Sequence, residues 1–494
     1  MAHTDPEDGG LPLSVGQEGL WLLHQLAPDS STYHLAGGVR MEPVPDPGIL
    51  ARAVDAVTER HSMLRSVYTG TEAGPRRRVL PPGRTGRLTV REAPGTDDEE
   101  LRRLIDAEVA APFDLGGEGP FRAVLINRGP DAVVLVVTHH IATDALSQWL
   151  LWRDLLTAFA AAAEGADPAL KPPVTDYGHF VAAERTLLES SRGARQAEFW
   201  QEQCAGSQAA EFPTDRPRPR TPSYQGASLV RRLPDDLSER IRRTAADREV
   251  SPFAVALGAL QALVNRWTGM RDFLIACPAS VRRGAAREDV GYYVNPVLVR
   301  AEVGRADTLG EVIDRAADRL RQATARATYP YPLVAQAAPS GGPLYRISMT
   351  MVATDRFGGG FAVAAAGVPL RIAGHSFTYL EIPHLEGQCD ISLEVTSDAN
   401  GLSLALRYDT ALFERDTVER LFDQYVRFLT TAVEDAGRPV GRVPLTGGDD
   451  RRALLALGAG PAAAGTTDAA GAGTAGAGAA GAAGAGSGHP GAAS

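Results

Sequence analysis

Residues 133–147 read Val133-Val-Leu-Val-Val-Thr-His139-His140-Ile-Ala-Thr-Asp144-Ala145-Leu-Ser147. The unbroken Val and Leu run at its start predicts a buried strand, because a strand covered on both faces loses the alternation of apolar and polar residues. Leu146, Trp149, Leu150, Trp152, Leu155, Leu156 and Phe159 then recur at helical spacing, so the histidine pair falls at a strand-to-helix turn. A rigid strand end thus presents imidazole, the side chain best suited to moving a proton near neutral pH. Asp144, four residues after His140, has two readings. It can hold the loop or the ring tautomer for chemistry, or it can simply cap the helix.

Composition bounds the rest. A chain of 494 residues exceeds one usual core, so two domains are expected. Hydrophobic content of 44% and charged content of 22% are ordinary for a globular protein, and no apolar run is long enough for a bilayer span. Met-Ala-His-Thr-Asp-Pro-Glu-Asp at the start lacks the basic and apolar regions of a secretory signal, which points to the cytoplasm. Cys204, Cys277 and Cys389 are odd in number, far apart and without a C-x-x-C pair, so neither a disulfide framework nor a metal site is indicated. A net charge of -10 argues against a nucleic-acid partner. No Walker A loop or dinucleotide glycine fingerprint is present.

Helices and strands alternate along the chain. Ser14-Val-Gly-Gln17 reads as a capping box before Leu20, Trp21 and Leu23. Ile49, Leu50, Val54 and Val57 form one face of a helix over 47–60, and 121–127 and 131–138 form a hairpin across Arg128-Gly129-Pro130. Pro-rich 171–173 and 212–219 bracket a helical stretch around Phe199-Trp200 that connects two halves. Ser251-Pro252 is an N-cap with proline at the first helical position. Strands are expected at 273–276, 294–299, 345–352, 391–395 and 402–408, with a last helix over 416–433. From Gly458 to Ser494 the chain is almost wholly Gly and Ala and reads as a flexible tail or linker.

These motifs together resemble a condensation domain of nonribosomal peptide synthetases, in the chloramphenicol acetyltransferase-like superfamily, over roughly Leu11 to Pro444. The first family motif is matched by Ser14, Gln17, Leu20, Trp21 and Leu23, and the Arg-His-x-x-Leu-Arg motif by Arg60, His61, Leu64 and Arg65. His139, His140 and Asp144 match His-His-x-x-x-Asp-Gly, with Ala145 in place of its glycine. Asp176-Tyr177-Gly178-His179-Phe180, Pro278-Ala-Ser-Val-Arg282, Val290-Gly291-Tyr292-Tyr293-Val294-Asn295-Pro296 and Tyr329-Pro330-Tyr331-Pro332 follow in the family's order. Pro343-Leu344-Tyr345, Asp390-Ile391 and Tyr408-Asp409 through Leu412-Phe413 complete the series. The Asp-rich motif of heterocyclisation domains is absent, and His384-Leu-Glu-Gly387 does not make the Glu-Gly-His-Gly element of epimerisation domains.

The resemblance implies an α/β (α+β) fold of two chloramphenicol acetyltransferase-like lobes, a V-shaped pseudo-dimer with a tunnel at their junction. Residues 1–10 would be a short extension, 11–180 the first lobe, 181–222 the connection, 223–445 the second lobe and 446–494 the tail. It further implies acyl transfer from a carrier-protein thioester to an amine or a hydroxyl, with His140 as base or positioner and His139 packed beneath the turn. Asp144 belongs to the catalytic motif and is expected to pair with Arg282 in a structural salt bridge. Ala145, Ser147, Tyr293, Asn295 and Ser348 are expected to line the tunnel. No cofactor or metal is expected on the chain itself, because the substrates ride on the phosphopantetheine arms of partner carriers. The expected partners are a donor peptidyl or acyl carrier protein acting in trans and an acceptor carrier or small nucleophile, with no nucleic acid and no membrane. With ten residues before the first motif and no adenylation or carrier motif after the last, a free-standing protein acting in trans, or a piece cut at a linker, is expected, and as a monomer. A catalytically silent module that recruits carriers through the same lobes is the alternative.

Overall fold

The computed structural model describes residues 10–168, 170–219, 225–338, 342–353, 369–380, 382, 389–398 and 401–447. The first half runs through β1 (Leu11–Pro12), α1 (Val15–Leu26), β2 (His34–Glu42), α2 (Pro47–Arg60), β3 (Ser66–Thr71), β4 (Gly74–Val79), β5 (Leu88–Glu92), α3 (Asp98–Ala110), β6 (Phe121–Asn127), β7 (Ala132–His139), α4 (Ala145–Ala163), α5 (Tyr177–Leu188) and α6 (Ser191–Cys204). The second continues with β8 (Gln208–Ala209), β9 (Gly226–Arg232), α7 (Asp235–Asp247), α8 (Pro252–Thr268), β10 (Asp272–Ser280), β11 (Val294–Glu302), α9 (Leu309–Thr324), α10 (Tyr331–Ala337), β12 (Ile347–Ala353), β13 (Leu370–Ile372), β14 (His375–Leu380), β15 (Ile391–Asp398), β16 (Gly401–Asp409) and α11 (Arg415–Glu434). The chain divides into two units, Met1–Leu445 and Thr446–Ser494. The Gly/Ala-rich stretch from Gly458 and the His384–Gly387 element lie outside the described residues.

Two mixed sheets organise the first unit. One has the order β13-β14-β2-β7-β6-β5, the other β11-β10-β12-β15-β16-β9 with β8 on the side of β10, and β1-β4-β3 form a small third sheet. β7 sits in the middle of the first sheet, antiparallel to β2 and β6, and all eight of its residues are buried. This is the physical basis of its continuous apolar run: both faces are covered, so neither needs polar side chains. On one face lies α4, whose Trp152 comes so close to β2 that a Cβ on Gly37 would meet the indole nitrogen at 2.5 Å. Only glycine lets the helix settle at that depth.

The second sheet sends one excursion to the turn after β7. β10 and β11 pair antiparallel from Asp272↔Glu302 to Ser280↔Val294, and the residues between them, 281–293, leave the sheet edge carrying Arg282, Gly291, Tyr292 and Tyr293. A second crossing is made by β14. Residues 370–380 fall in the stretch assigned from sequence to the second lobe, yet β14 pairs with β2 from Ser376↔Glu42 to Leu380↔Gly38. Phe377 is buried there, its ring 5.7 Å from that of Phe159 on α4. The open edge of β2 and the apolar floor beside α4 draw this strand in.

Candidate active site

The turn after β7 is pinned through its backbone. His139 N–H donates to the Pro120 carbonyl at 2.8 Å, and His140 N–H to the Tyr33 carbonyl at 2.7 Å. From α1, the buried Gln17 donates its side-chain amide to the Ile141 carbonyl at 2.7 Å. Gln17 also closes the capping box with Ser14. The first sequence motif therefore braces the histidine turn directly.

The two histidines have opposite tautomers. His139 Nδ1 accepts from the Ile141 N–H at 3.1 Å, so its ring proton sits on Nε2. The ring is buried among His24, His34, Tyr33 and Phe113. Burial, reinforced by the neighbouring histidines, holds it well below the ordinary imidazole value. His140 Nδ1 faces the Thr143 carbonyl at 2.7 Å, and since a carbonyl only accepts, Nδ1 carries the proton. Nε2 is left with a lone pair and no hydrogen-bond partner among the described residues. Burial lowers the His140 pKa, against the opposing pull of the Thr143 bond and Asp144, so the neutral ring dominates at neutral pH. A neutral, oriented imidazole with a free Nε2 has the form that general-base chemistry requires.

Asp144 ties the halves together. Its Oδ1 caps α4, accepting from Ser147 N–H at 2.8 Å and Ser147 Oγ at 2.9 Å. Oδ2 accepts from Tyr293 N–H at 3.1 Å and pairs with Arg282 Nη1. Arg282 Nη2 donates to Ser147 Oγ at 2.7 Å and to the Asp289 carbonyl at 3.1 Å, while its guanidinium lies 4.5 Å from the Tyr293 ring centre. Tyr293 O–H in turn donates to the Asp289 carboxylate. Burial pushes Asp289 up to about 6 against the pull of these partners. Asp144 makes no hydrogen bond to His140; its carboxylate caps α4 and meets Arg282 at the same time.

The remaining expected positions divide by what they touch. Ser147 spends its hydroxyl inside the Asp144–Arg282 link and on Gly291, and Asn295 spends its amide on the Ala327 and Tyr329 carbonyls and the Tyr331 N–H. Neither offers a free polar group to a substrate. Ser348 bonds Ser392 and Cys389 on neighbouring segments of the second sheet. Ala145 is exposed at the first residue of α4, and its φ is not positive, so the backbone there does not require glycine. Farther off, Asp154 of α4 forms an ion pair with Arg60 at 2.9 Å and accepts a hydrogen bond from His61 Nε2 at 2.8 Å, which makes the Arg-His motif a strut between α2 and α4. Sequence reasoning gave no role to Thr143 or Tyr292. Tyr292 stands edge-on to His140 with ring centres 5.2 Å apart. Among the described residues no group of His, Cys, Asp and Glu is arranged to hold a metal, and no helix is long and apolar enough to cross a membrane.

The chain is 30% identical over 452 residues to phosphinothricin tripeptide synthetase PhsB of Streptomyces viridochromogenes, covering 88% of this chain and 37% of that protein. It is 27% identical over 461 residues to malpinin synthetase of Mortierella alpina, covering 91% of this chain and 6% of that protein. It thus spans well under half the length of these relatives. Among solved structures, the X-domain from teicoplanin biosynthesis superposes with a TM-score of 0.78 at 24% identity, over 90% of this chain and 99% of that one. The first condensation domain of the calcium-dependent antibiotic synthetase does so at 0.75 and 20%, over 89% and 100%. The profile of the Condensation domain matches residues 7–455, and the chain belongs to the condensation-domain family of nonribosomal peptide synthetases.

Proposed function

We propose that this domain forms an amide or an ester by moving an acyl group from a carrier-bound thioester to an amine or a hydroxyl. His140 Nε2 takes the proton of the nucleophile as its nitrogen or oxygen closes on the thioester carbonyl. The single observation that carries this reading is the His140 Nδ1 contact to the Thr143 carbonyl at 2.7 Å, which fixes the tautomer that leaves Nε2 basic. His139 acts from beneath as a neutral packing partner. Asp144, with Arg282, holds the turn in shape and does not enter the chemistry. In this scheme the thioester arrives on the phosphopantetheine arm of a donor carrier protein, and the acceptor is a second carrier's cargo or a small free nucleophile. The arm and its cargo are substrate, and the domain acts as a monomer.

The test is to incubate the purified chain with an acyl-loaded donor carrier and a panel of amines and alcohols, reading products by mass. A product with wild-type protein that vanishes in His140→Ala supports the reading. Tight carrier binding without any product would favour the recruitment module instead. An X-domain solved in complex with OxyB is a precedent in this fold for binding a further protein.

A further inference from the structure

Tyr292 is held more firmly than a lining residue needs to be. Its backbone carbonyl accepts the Tyr177 hydroxyl at 2.8 Å, and that hydroxyl is 2.9 Å from Ser14 Oγ at the cap of α1. Its ring lies on Gly16, where a Cβ would come within 2.7 Å of the ring edge, so α1 keeps a glycine at the contact. The same ring stands edge-on to the imidazole of His140, with centres 5.2 Å apart. Yet its hydroxyl makes no hydrogen bond among the described residues, although the side chain is only partly buried and α1, α5 and the turn after β7 all converge on it.

We propose that Tyr292 is a further catalytic residue, whose phenol O–H donates a hydrogen bond to the acyl carbonyl oxygen as negative charge develops on it beside His140. This deepens the acyl-transfer reading above and rests on it. The nucleophile's lone pair forms the new bond to the carbonyl carbon, its proton passes to His140 Nε2, and the carbonyl π electrons move to the oxygen facing Tyr292. On collapse the C–S bond breaks and the thiolate leaves with the proton from His140. Tyr292 keeps its own proton throughout. Burial, with Tyr33, Asp144 and Glu184 nearby, pushes the phenol pKa up, which keeps it a donor across the working pH range.

Tyr292→Phe keeps the ring on Gly16 and His140 and removes only the donor. Loss of such a donor lowers kcat by about 100-fold. The expected result is a fall of that order in kcat, little change in KM and an unchanged Tm. Replacing Tyr292 with a fluorinated tyrosine, whose phenol is more acidic, should bring the alkaline loss of kcat to lower pH. Wild-type turnover in Tyr292→Phe, while His140→Ala is inactive, overturns the donor role and leaves the base role standing. No turnover by wild-type protein with any loaded carrier overturns both. A lowered Tm in Tyr292→Phe that accounts for its lost activity also overturns the donor role, since the residue would then be structural.

Discussion

The link between Asp144 and Arg282 gives the most demanding test of the site. Asp144 is 3% exposed and Arg282 8%, so either substitution to alanine strands a charge away from water. Stranding one partner of a buried pair costs about 3 to 5 kcal/mol. The two losses are not equivalent. Arg282→Ala leaves the Asp144 carboxylate with Ser147 N–H, Ser147 Oγ and Tyr293 N–H, three donors already in place. Asp144→Ala leaves the guanidinium with two hydrogen-bond acceptors, Ser147 Oγ and the Asp289 carbonyl, beside the face of Tyr293, and removes the cap of α4, worth about 1 kcal/mol more. Asp144→Ala should therefore be the more damaging. An unfolding entropy of about 2.1 cal/mol/K per residue over roughly 435 residues makes 4 kcal/mol equal to about 4 °C in Tm. Calorimetry on both single variants and the double variant completes a cycle. The double variant should be less destabilised than the sum of the singles by about 2 to 3 kcal/mol. Additive effects would mean that the two charges do not meet in solution, and equal effects would refute the donor accounting around Asp144.

Other consequences follow from the same geometry. His140→Ala should cut turnover by about 100 to 10,000-fold with Tm unchanged; a folded variant near wild-type rate would remove the base role. Because burial lowers the His140 pKa from 6.5, kcat/KM should fall only as pH drops below that value, and an acid limb centred above it would contradict the neutral-base assignment. Glu184, buried and accepting from Val15 N–H at 2.7 Å, is pushed up to about 7 by burial from an ordinary 4.5. Between those values the folded state holds a proton that the unfolded state has lost, so stability falls as pH rises through the window. Glu184→Gln should match wild type at pH 4 and exceed it at pH 8 by up to about 3 kcal/mol in urea unfolding, while equal stabilities at both pH values would refute the shift. Ala145→Gly, at an exposed first helical residue without positive φ, should cost less than about 1 kcal/mol and leave turnover near wild type in the mass assay. A large gain in rate would show that the alanine had been distorting the turn.

The parts of this fold that could be read from sequence are those whose reasons are local. β7 shows as an unbroken apolar run because both of its faces are covered, α4 shows its helical spacing, and the caps at Ser14 and Ser251 are written in the residues that make them. β2 escaped such a reading because Gly37 and Gly38 interrupt its pattern, and the glycine exists for Trp152, more than a hundred residues away. β14 escaped it because its partner strand lies in the other half of the chain. The site divides in the same way. His139 and His140 are adjacent and of a rare type, with Asp144 four residues on, so they stand out. The bonds that give them their state run to backbone carbonyls: Thr143 for His140, Pro120 and Tyr33 for the turn, and Ile141 for Gln17, 124 residues distant. A carbonyl belongs to every residue type and leaves no mark in the sequence.

That division also separates stability from chemistry within six residues. The turn is fixed by main-chain donors and by Gln17, and the ring of His140 contributes only its bond to Thr143 and its edge on Tyr292. The ring can therefore be removed while Pro120, Tyr33 and Gln17 keep the backbone where it was. Asp144 is the reverse case, because its carboxylate receives the helix cap, the Tyr293 N–H and Arg282 together and reaches no reacting atom. A base must keep one nitrogen unpaired, and an unpaired nitrogen cannot also hold the fold. In the proposed reaction, placing the base on a turn whose backbone bonds are complete without its ring meets both requirements. The residues flanking His140, not His140 itself, then carry the structural cost of keeping it in place.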